Sequence, residues 1–324
     1  MRTRLLLTIP LALALFAGGC KKSDEIGNPS TDFQTDEAYI AYAVANLDSV
    51  ADYSEAEQDA INDDSLQDLE YQIGFAKVGN ALDPISPLRW GRRVESVIRT
   101  VTVRKPDDST AIATIQKVAS GMLFIRAERD SAGILDTVLV TKTFTDTLKR
   151  KTLFVRIGQF QDRRRNWRPA AITLVEGKSP STDFAIDSLV ISTPRDVYVV
   201  TDPLTTWLRF GRGSWEILRT RPDDPVQFRV VISSQTDSAE AMFLHWGVGP
   251  RDNRRHRARI PLVSSSSKPG GGWTRVFERT FYAHRHYGRF NAIIDVLSYG
   301  TLFDDDPAIY SNRLWGLPYV AAPF

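Results

Sequence analysis

Residues 94–118, VESVIRTVTVRKPDDSTAIATIQKV, decide the fold. Val94, Val97, Ile98, Val101 and Val103 form a β-branched stretch that ends at Pro106-Asp107-Asp108-Ser109, and apolar residues resume from Ala111 to Val118. Two such runs around a Pro/Asp/Ser cluster read as antiparallel strands joined by a turn. Met122–Ala127, Val138–Thr147, Thr152–Phe160 and Trp167–Val175 repeat the pattern, so a meander of antiparallel strands is expected here.

Upstream of the meander the period changes to a helical one. Thr35 can cap a helix that has Asp36 and Glu37 in its first turn, with Ile40, Val44 and Leu47 at i, i+4 and i+7. Ser54-Glu55-Ala56-Glu57 is a capping box, and Ser65-Leu66-Gln67-Asp68 is a weaker version ahead of Leu69 and Ile73. Helices packed on one face of a meander make an α+β domain. Helices, long strands, then Arg150-Lys151-Thr152-Leu153-Phe154-Val155-Arg156 and Asn166-Trp167-Arg168 together resemble the nuclear-transport-factor-two-like cone fold over residues 35–177. Pro169 stands where that family's strand usually carries an aliphatic residue. The resemblance implies helices over a curved sheet with a pocket between them, which Tyr39, Tyr42, Tyr71, Phe75 and Trp90 would line. Aromatic residues at these spacings are also what a plain core contains.

Gly177-Lys178-Ser179-Pro180-Ser181 opens a linker, residues 178–183. Beyond it, Phe184–Thr193, Val226–Ile232, Met242–Val248, Arg257–Val263, Trp273–Tyr282 and Phe290–Tyr299 read as short strands at regular spacing. Val226, Phe228, Val230 and Ile232 alternate with polar neighbours, as one strand of a half-buried sheet does. Residues 184–324 are therefore expected to form an all-β sandwich that resembles the immunoglobulin architecture. Asn312–Val320 would close it as an edge strand.

The N-terminus supplies an address. Arg2 and Arg4 precede an apolar run, Leu5–Phe16, and the small residues Ala17-Gly18-Gly19 lead to Cys20, the chain's one cysteine. A basic n-region, a short h-region and a small-residue cleavage site read as a secretory signal peptide over 1–19. The run falls short of the roughly 20 apolar residues that span a bilayer. Small residues followed by cysteine resemble the lipobox of bacterial lipoproteins, with Ala17 where leucine is preferred. The resemblance implies a diacylglycerol thioether at Cys20, an acylated (palmitate-type) amino terminus and attachment to the bilayer. Lys21 and Lys22 leave the position after Cys20 without an aspartate, which by the same resemblance points to the outer membrane. Polar residues 20–34 then act as a flexible tether.

Composition limits the remaining options. The 324 residues, 42% apolar and 25% charged, suit two folded domains. One cysteine excludes a disulfide framework and a cysteine-rich metal cluster. Removing Arg2 and Arg4 leaves 39 basic against 39 acidic side chains, which argues against nucleic acid as a partner. Residues 31–90 carry a charge of −11 and residues 91–324 one of +11, so acidic helices facing a basic sheet would attract it.

The chemistry-bearing clusters are few. His284 and His286 lie two apart, on one face if in a strand, with Asp304-Asp305-Asp306 as a nearby oxygen-donor cluster; a surface turn has the same look. Arg251, Arg254, Arg255, Arg257 and Arg259 with His256, and Arg163-Arg164-Arg165, are basic runs that can meet phosphate. Trp207, Trp215, Trp246 and Trp273 are candidates for stacking on sugar faces. No nucleophile elbow, phosphate loop or dinucleotide fingerprint appears. The expectation is a non-enzymatic, lipid-anchored envelope module without a cofactor, meeting an envelope protein or an anionic glycolipid. The alternatives are a ligand carrier or enzyme using the cone pocket, and carbohydrate or peptidoglycan binding by the sandwich.

Overall fold

The computed structural model describes residues 33–46, 67–68, 84–131, 134–209, 218–249 and 252–323. Cys20, Tyr71, Phe75, Trp215 and the capping box at 54–57 lie outside them. One helix, α1 (Asp36–Asn46), begins where Thr35 Oγ1 accepts from the Ala38 N–H at 3.1 Å. Gln67–Asp68, the site of the third helical signal, is a two-residue strand, β1.

Three strands of unusual length follow: β2 (Ser86–Arg104), β3 (Thr110–Ser131) and β4 (Ile134–Arg156), of 19, 22 and 23 residues. At about 3.3 Å per residue, β3 reaches roughly 70 Å. Each of β3 and β4 joins two of the expected short strands. The joint is uninterrupted because alternation never breaks: Ala111, Ala113, Ile115, Lys117, Ala119, Gly121, Leu123, Ile125 and Ala127 are all buried. Gly121 is required by close approach, since a Cβ there would lie 2.0 Å from the Arg93 carbonyl oxygen beside a register shift in β2. β5 (Trp167–Thr173) pairs with β4 through Pro169, with a register shift between Leu153 and Phe154. The missing proline N–H is absorbed at a bulge.

After β6 (Val175–Lys178) come β7 (Phe184–Ser192), β8 (Val197–Val200), β9 (Trp207–Arg209), β10 (Leu218–Thr220), β11 (Pro225–Ser234) and β12 (Ala241–Gly249). The chain continues through β13 (Asp252–Ile260), β14 (Leu262–Ser267), β15 (Trp273–Tyr282), β16 (Gly288–Leu297), a five-residue helix α2 (Tyr299–Phe303) and β17 (Asn312–Ala321). Among the described residues these make two sheets. The larger runs β1-β2-β3-β4-β6-β17-β16-β12-β13, with β5 and β9 branching from β4 and β10 parallel to β17. The smaller runs β14-β15-β11-β7-β8.

The architecture corrects the expected α+β cone. The described chain is nearly all β, in curled, mostly antiparallel sheets. The face that should hold helices is occupied by other strands: Trp90, Leu123 and Ile125 pack against Phe243 and Leu297, with the Trp90 and Phe243 rings 5.1 Å apart. Two short helices touch the meander: α1 buries Tyr39, Ile40, Ala43 and Val44 against Ala111, Ala113 and Phe154 at its far end, and the five-residue α2 sets Leu302 and Phe303 beside Trp90, Leu123 and Val140.

Nor is Asn312–Ala321 an edge. β17 pairs with β16 along its length, with β6 at Arg313–Gly316 and with β10 at Tyr319–Ala321. Trp315, Leu317 and Tyr319 enter the sandwich core while Leu314 enters the opposite layer, so both faces of the strand are covered. The fold is therefore layered. The smaller sheet and the β17-β16-β12 region face each other over a large apolar core, forming the sandwich. The long meander curls over the outer face of β12 and β16.

Candidate functional site

Two interior features of different chemistry arise from this layering. The first lies between the meander and β12–β16. Strand alternation sends Met242, Leu244, Ile294 and Val296 into the sandwich, and therefore sends Phe243, His245, Ile293 and Asp295 towards the meander. Arg92 of β2 meets Asp295 there, Nη2 to Oδ2 at 2.5 Å, with both side chains buried. His245 Nε2 stands 3.1 Å from the same Oδ2, and Asn312 Nδ2 donates to Asp295 Oδ1 at 3.3 Å. Tyr310 donates to Asp146 Oδ2 of β4 at 2.9 Å. Arg257 lies over the Trp90 ring, 3.6 Å from its centroid, and donates to the Trp90 carbonyl at 2.7 Å.

The two carboxylates of this layer are held in opposite states. Burial opposes the charge on Asp295, but the Arg92 guanidinium and the His245 hydrogen bond outweigh it and hold the acid down at about 2. At Asp146 burial wins over Arg92 and Tyr310 and pushes the acid up to about 7. Burial also lowers His245, against the pull of the Asp295 carboxylate that its Nε2 meets. Nearby, Lys142 is buried and brought down to about 8, against the attraction of Asp304, Asp306 and Asp305; its Nζ donates to the Gly300 carbonyl at 2.8 Å. These groups do acid–base work only if a reactant reaches them, and the layers seal them from solvent.

The second feature is a small cleft at one end of the sandwich, with a cavity volume of about 30 Å³. Its walls are Leu218, Val226, Phe228, Leu244, Trp246, Phe281 and Tyr319, with Ala283 and Ala292 giving space and Tyr282 standing at the mouth, 75% exposed. Thr220 is the one hydroxyl-bearing aliphatic residue of the lining. On the short strand β10, Leu218 and Thr220 are buried and Arg219 is only half-buried, so the Thr220 side chain points inward. Its Oγ1 is buried without a hydrogen-bond partner. Behind Tyr319, His284 stacks on Phe290 at 3.7 Å between centroids and hydrogen-bonds the Tyr319 hydroxyl through Nδ1.

The residues singled out from sequence distribute as follows. Tyr39 and Tyr42 lie on α1, Tyr39 buried against the meander, and both rings meet Phe33 at 5.5 and 5.1 Å. Trp90 belongs to a different cluster, so the structure does not bring these three around one pocket. His284 supports a core tyrosine while His286 is exposed. Asp304 caps α2 and Asp305 pairs with Arg129. Among the described residues no group of three or more His, Cys, Asp or Glu is placed to hold a metal ion.

Arg163 pairs with Asp36 at 2.9 Å, Arg164 with Asp162 at 3.2 Å, and Arg165 covers Phe160. Arg257 and Arg259 are buried, whereas Arg251 and the side chains of Arg254, Arg255 and His256 lie outside the described residues. Trp207, Trp246 and Trp273 are each half-buried on β9, β12 and β15, strands that do not pair with one another. Trp246 alone of the three lines the cleft.

Sequence reasoning missed Arg92, Asp295, His245, Asp146 and Thr220. A signal existed for one: Asp295 interrupts the apolar run Ala292-Ile293-Ile294-Asp295-Val296-Leu297, where an unpaired charge would cost several kcal/mol. Compared with known protein families, curated proteins and solved structures, the chain matches none.

Proposed function

We propose that this protein is a lipid-anchored bacterial envelope protein whose β-rich body acts as a binding or scaffolding module. The observation that carries the reading is the order of residues 1–34: basic start, apolar run, Ala17-Gly18-Gly19, Cys20, then a polar tether. One acyl chain holds a protein to a bilayer marginally, whereas a multiply acylated cysteine holds it stably. A binding body is favoured over a catalytic one by the disposition of the perturbed groups. Asp146, His245 and Asp295 face one another between two packed layers, where such shifts accompany structural ion networks as readily as catalysis.

The test is mass spectrometry of the mature protein from bacterial membranes, beside a Cys20→Ser variant. The expected result is a diacylglyceryl, N-acylated Cys20 and release of the variant from the membrane fraction. An unmodified amino terminus, or equal membrane retention of both proteins, overturns the reading. Partners recovered with both proteins are captured by the folded body; partners lost with Cys20→Ser depend on the anchor.

A further inference from the structure

The meander's inner face carries the buried ion network; its outer face carries a second, segregated set of charges. Cross-strand rows run over β2, β3 and β4 on that outer face, from Arg89-Arg126-Leu139 at one end to Arg104-Ile112-Leu153 at the other. Apart from Gly91, every residue in these rows is at least partly exposed. Arg89, Arg93, Arg104, Arg126, Lys149 and Lys151 stand in them, and no row contains an aspartate or glutamate. Glu95, in the bulge between Val94 and Ser96, pairs with Arg93 at 2.9 Å. On the adjoining β6, Glu176 opposes Lys149 but pairs with Arg313 at 3.8 Å, while the exposed Lys178 adds a further cation. Arg89 and Arg126 lie directly opposite each other, and like charges so placed destabilise a sheet, so fold stability does not account for the pattern. The outer face of the smaller sheet, by contrast, mixes signs: Asp187 is exposed there, and Arg229 meets Glu278 at 3.6 Å.

We infer that the outer face of the meander is a contact surface for a bilayer of anionic phospholipid. Each Lys or Arg held near such a surface is worth about fivefold in affinity. The attraction reaches about 8–10 Å in physiological salt, so the cations need not all touch lipid. They are spread along strands of 19 to 23 residues and do not converge on a point, which suits an extended polyanion better than a small anion. Among them stand hydroxyls able to donate to phosphate oxygens, at Ser96, Thr100 and Thr102. Ile98 and Leu139, 67% and 62% exposed, lie in the same rows and enter the boundary between headgroups and acyl chains. Exposed apolar residues among cations match that layered chemistry more closely than they match an acidic protein face. This assignment deepens the envelope reading by giving the folded body its own membrane contact, and rests on that reading for the presence of a bilayer.

The experiment is cosedimentation of the full chain carrying Cys20→Ser with vesicles of phosphatidylglycerol and phosphatidylcholine, beside vesicles of phosphatidylcholine alone. Residues 1–19 are present in every sample, so the face is read from differences between variants. Binding to the anionic vesicles is expected, weaker on the neutral ones and falling as salt is raised. Lys149→Gln with Lys151→Gln weakens it about twentyfold, at about fivefold per charge, while Lys149→Arg with Lys151→Arg retains it. Ile98→Ser, at an exposed position where folding is not at risk, also weakens it. Arg195→Gln with Arg229→Gln removes the same net charge on the side of the smaller sheet and leaves binding within about twofold. The assignment fails if neutral vesicles bind equally well, if the Lys149 and Lys151 glutamine variant matches the parent, or if the Arg195 and Arg229 variant loses as much. It fails also if polyglutamate binds more tightly than the anionic vesicles at equal salt, which would give the face to an acidic protein. Each of these failures leaves the acylation result at Cys20 untouched, so the two readings are separable.

Discussion

The two faces of β12 and β16 are built from the same strands, yet one is hydrocarbon and the other is charged. Towards the smaller sheet they present Met242, Leu244, Ala292, Ile294 and Val296; towards the meander, Phe243, His245, Ile293 and Asp295. The first face is indifferent to which apolar partner covers it, provided volume is kept. The second demands particular partners, because a buried carboxylate without its guanidinium costs more than the pair contributes. The charged face therefore selects how the long hairpins close over the sheet, and the apolar face supplies much of the stabilising burial.

Breaking that contrast should show it most clearly at Asp295. Asp295→Ala strands the Arg92 charge between layers, and a loss of about 3–5 kcal/mol in urea denaturation is expected. On the opposite face, Leu244→Ala should cost about 2–5 kcal/mol through lost transfer and a cavity. The double replacement Arg92→Met with Asp295→Leu sharpens the comparison: removing both charges should return most of the single-variant loss, since apolar substitutes for buried pairs are often neutral or stabilising. A double variant as unstable as Asp295→Ala would show that the layer is held by shape and not by charge.

The carboxylates also set opposite pH dependences. Asp295 is lowered from 3.8 to about 2, so its contribution is present above the unfolded value and is lost as pH falls towards 2. Asp146 is raised from 3.8 to about 7, so stability falls as pH rises from about 4 to 7 and is level beyond. Asp146→Asn should flatten that slope and make the variant relatively more stable at pH 8 than at pH 5, read from denaturation midpoints. A parallel shift at both pH values would sink this assignment. The smallest effect belongs to the surface: Arg285→Ala, removing the exposed pair with Asp223, should change stability by less than about 0.5 kcal/mol.

Local signals found the strands and mistook their company. The alternation of Val226, Phe228, Val230 and Ile232 reports a half-buried strand wherever it lies, and β11 carries that pattern unchanged. The cap at Thr35 is equally local, and α1 begins there. Long strands look like short ones in the sequence because Ala119-Ser120-Gly121 and Leu148–Lys151 lack an apolar run, although their inward residues keep the period. Lys117, Lys142 and Arg150 are buried in these strands, and polarity at an inward position imitates a break when burial is judged from residue type alone. The cleft left no trace in sequence, since Thr220 and Trp246 come from β10 and β12, strands of one sheet that β17 and β16 separate, and its other wall comes from β11 and β15 of the facing sheet.

Residue order by itself determined the β period, the turn at 106–109, the helix start at Thr35 and the single cysteine after its apolar run, because each depends on neighbours within a few positions. Only the tertiary structure decided that the meander is covered by strands in place of helices, that Asn312–Ala321 is central, and that Arg92 meets Asp295. The physical reason is distance along the chain: contacts across some 200 positions depend on how two curled sheets share a face, which no local pattern encodes.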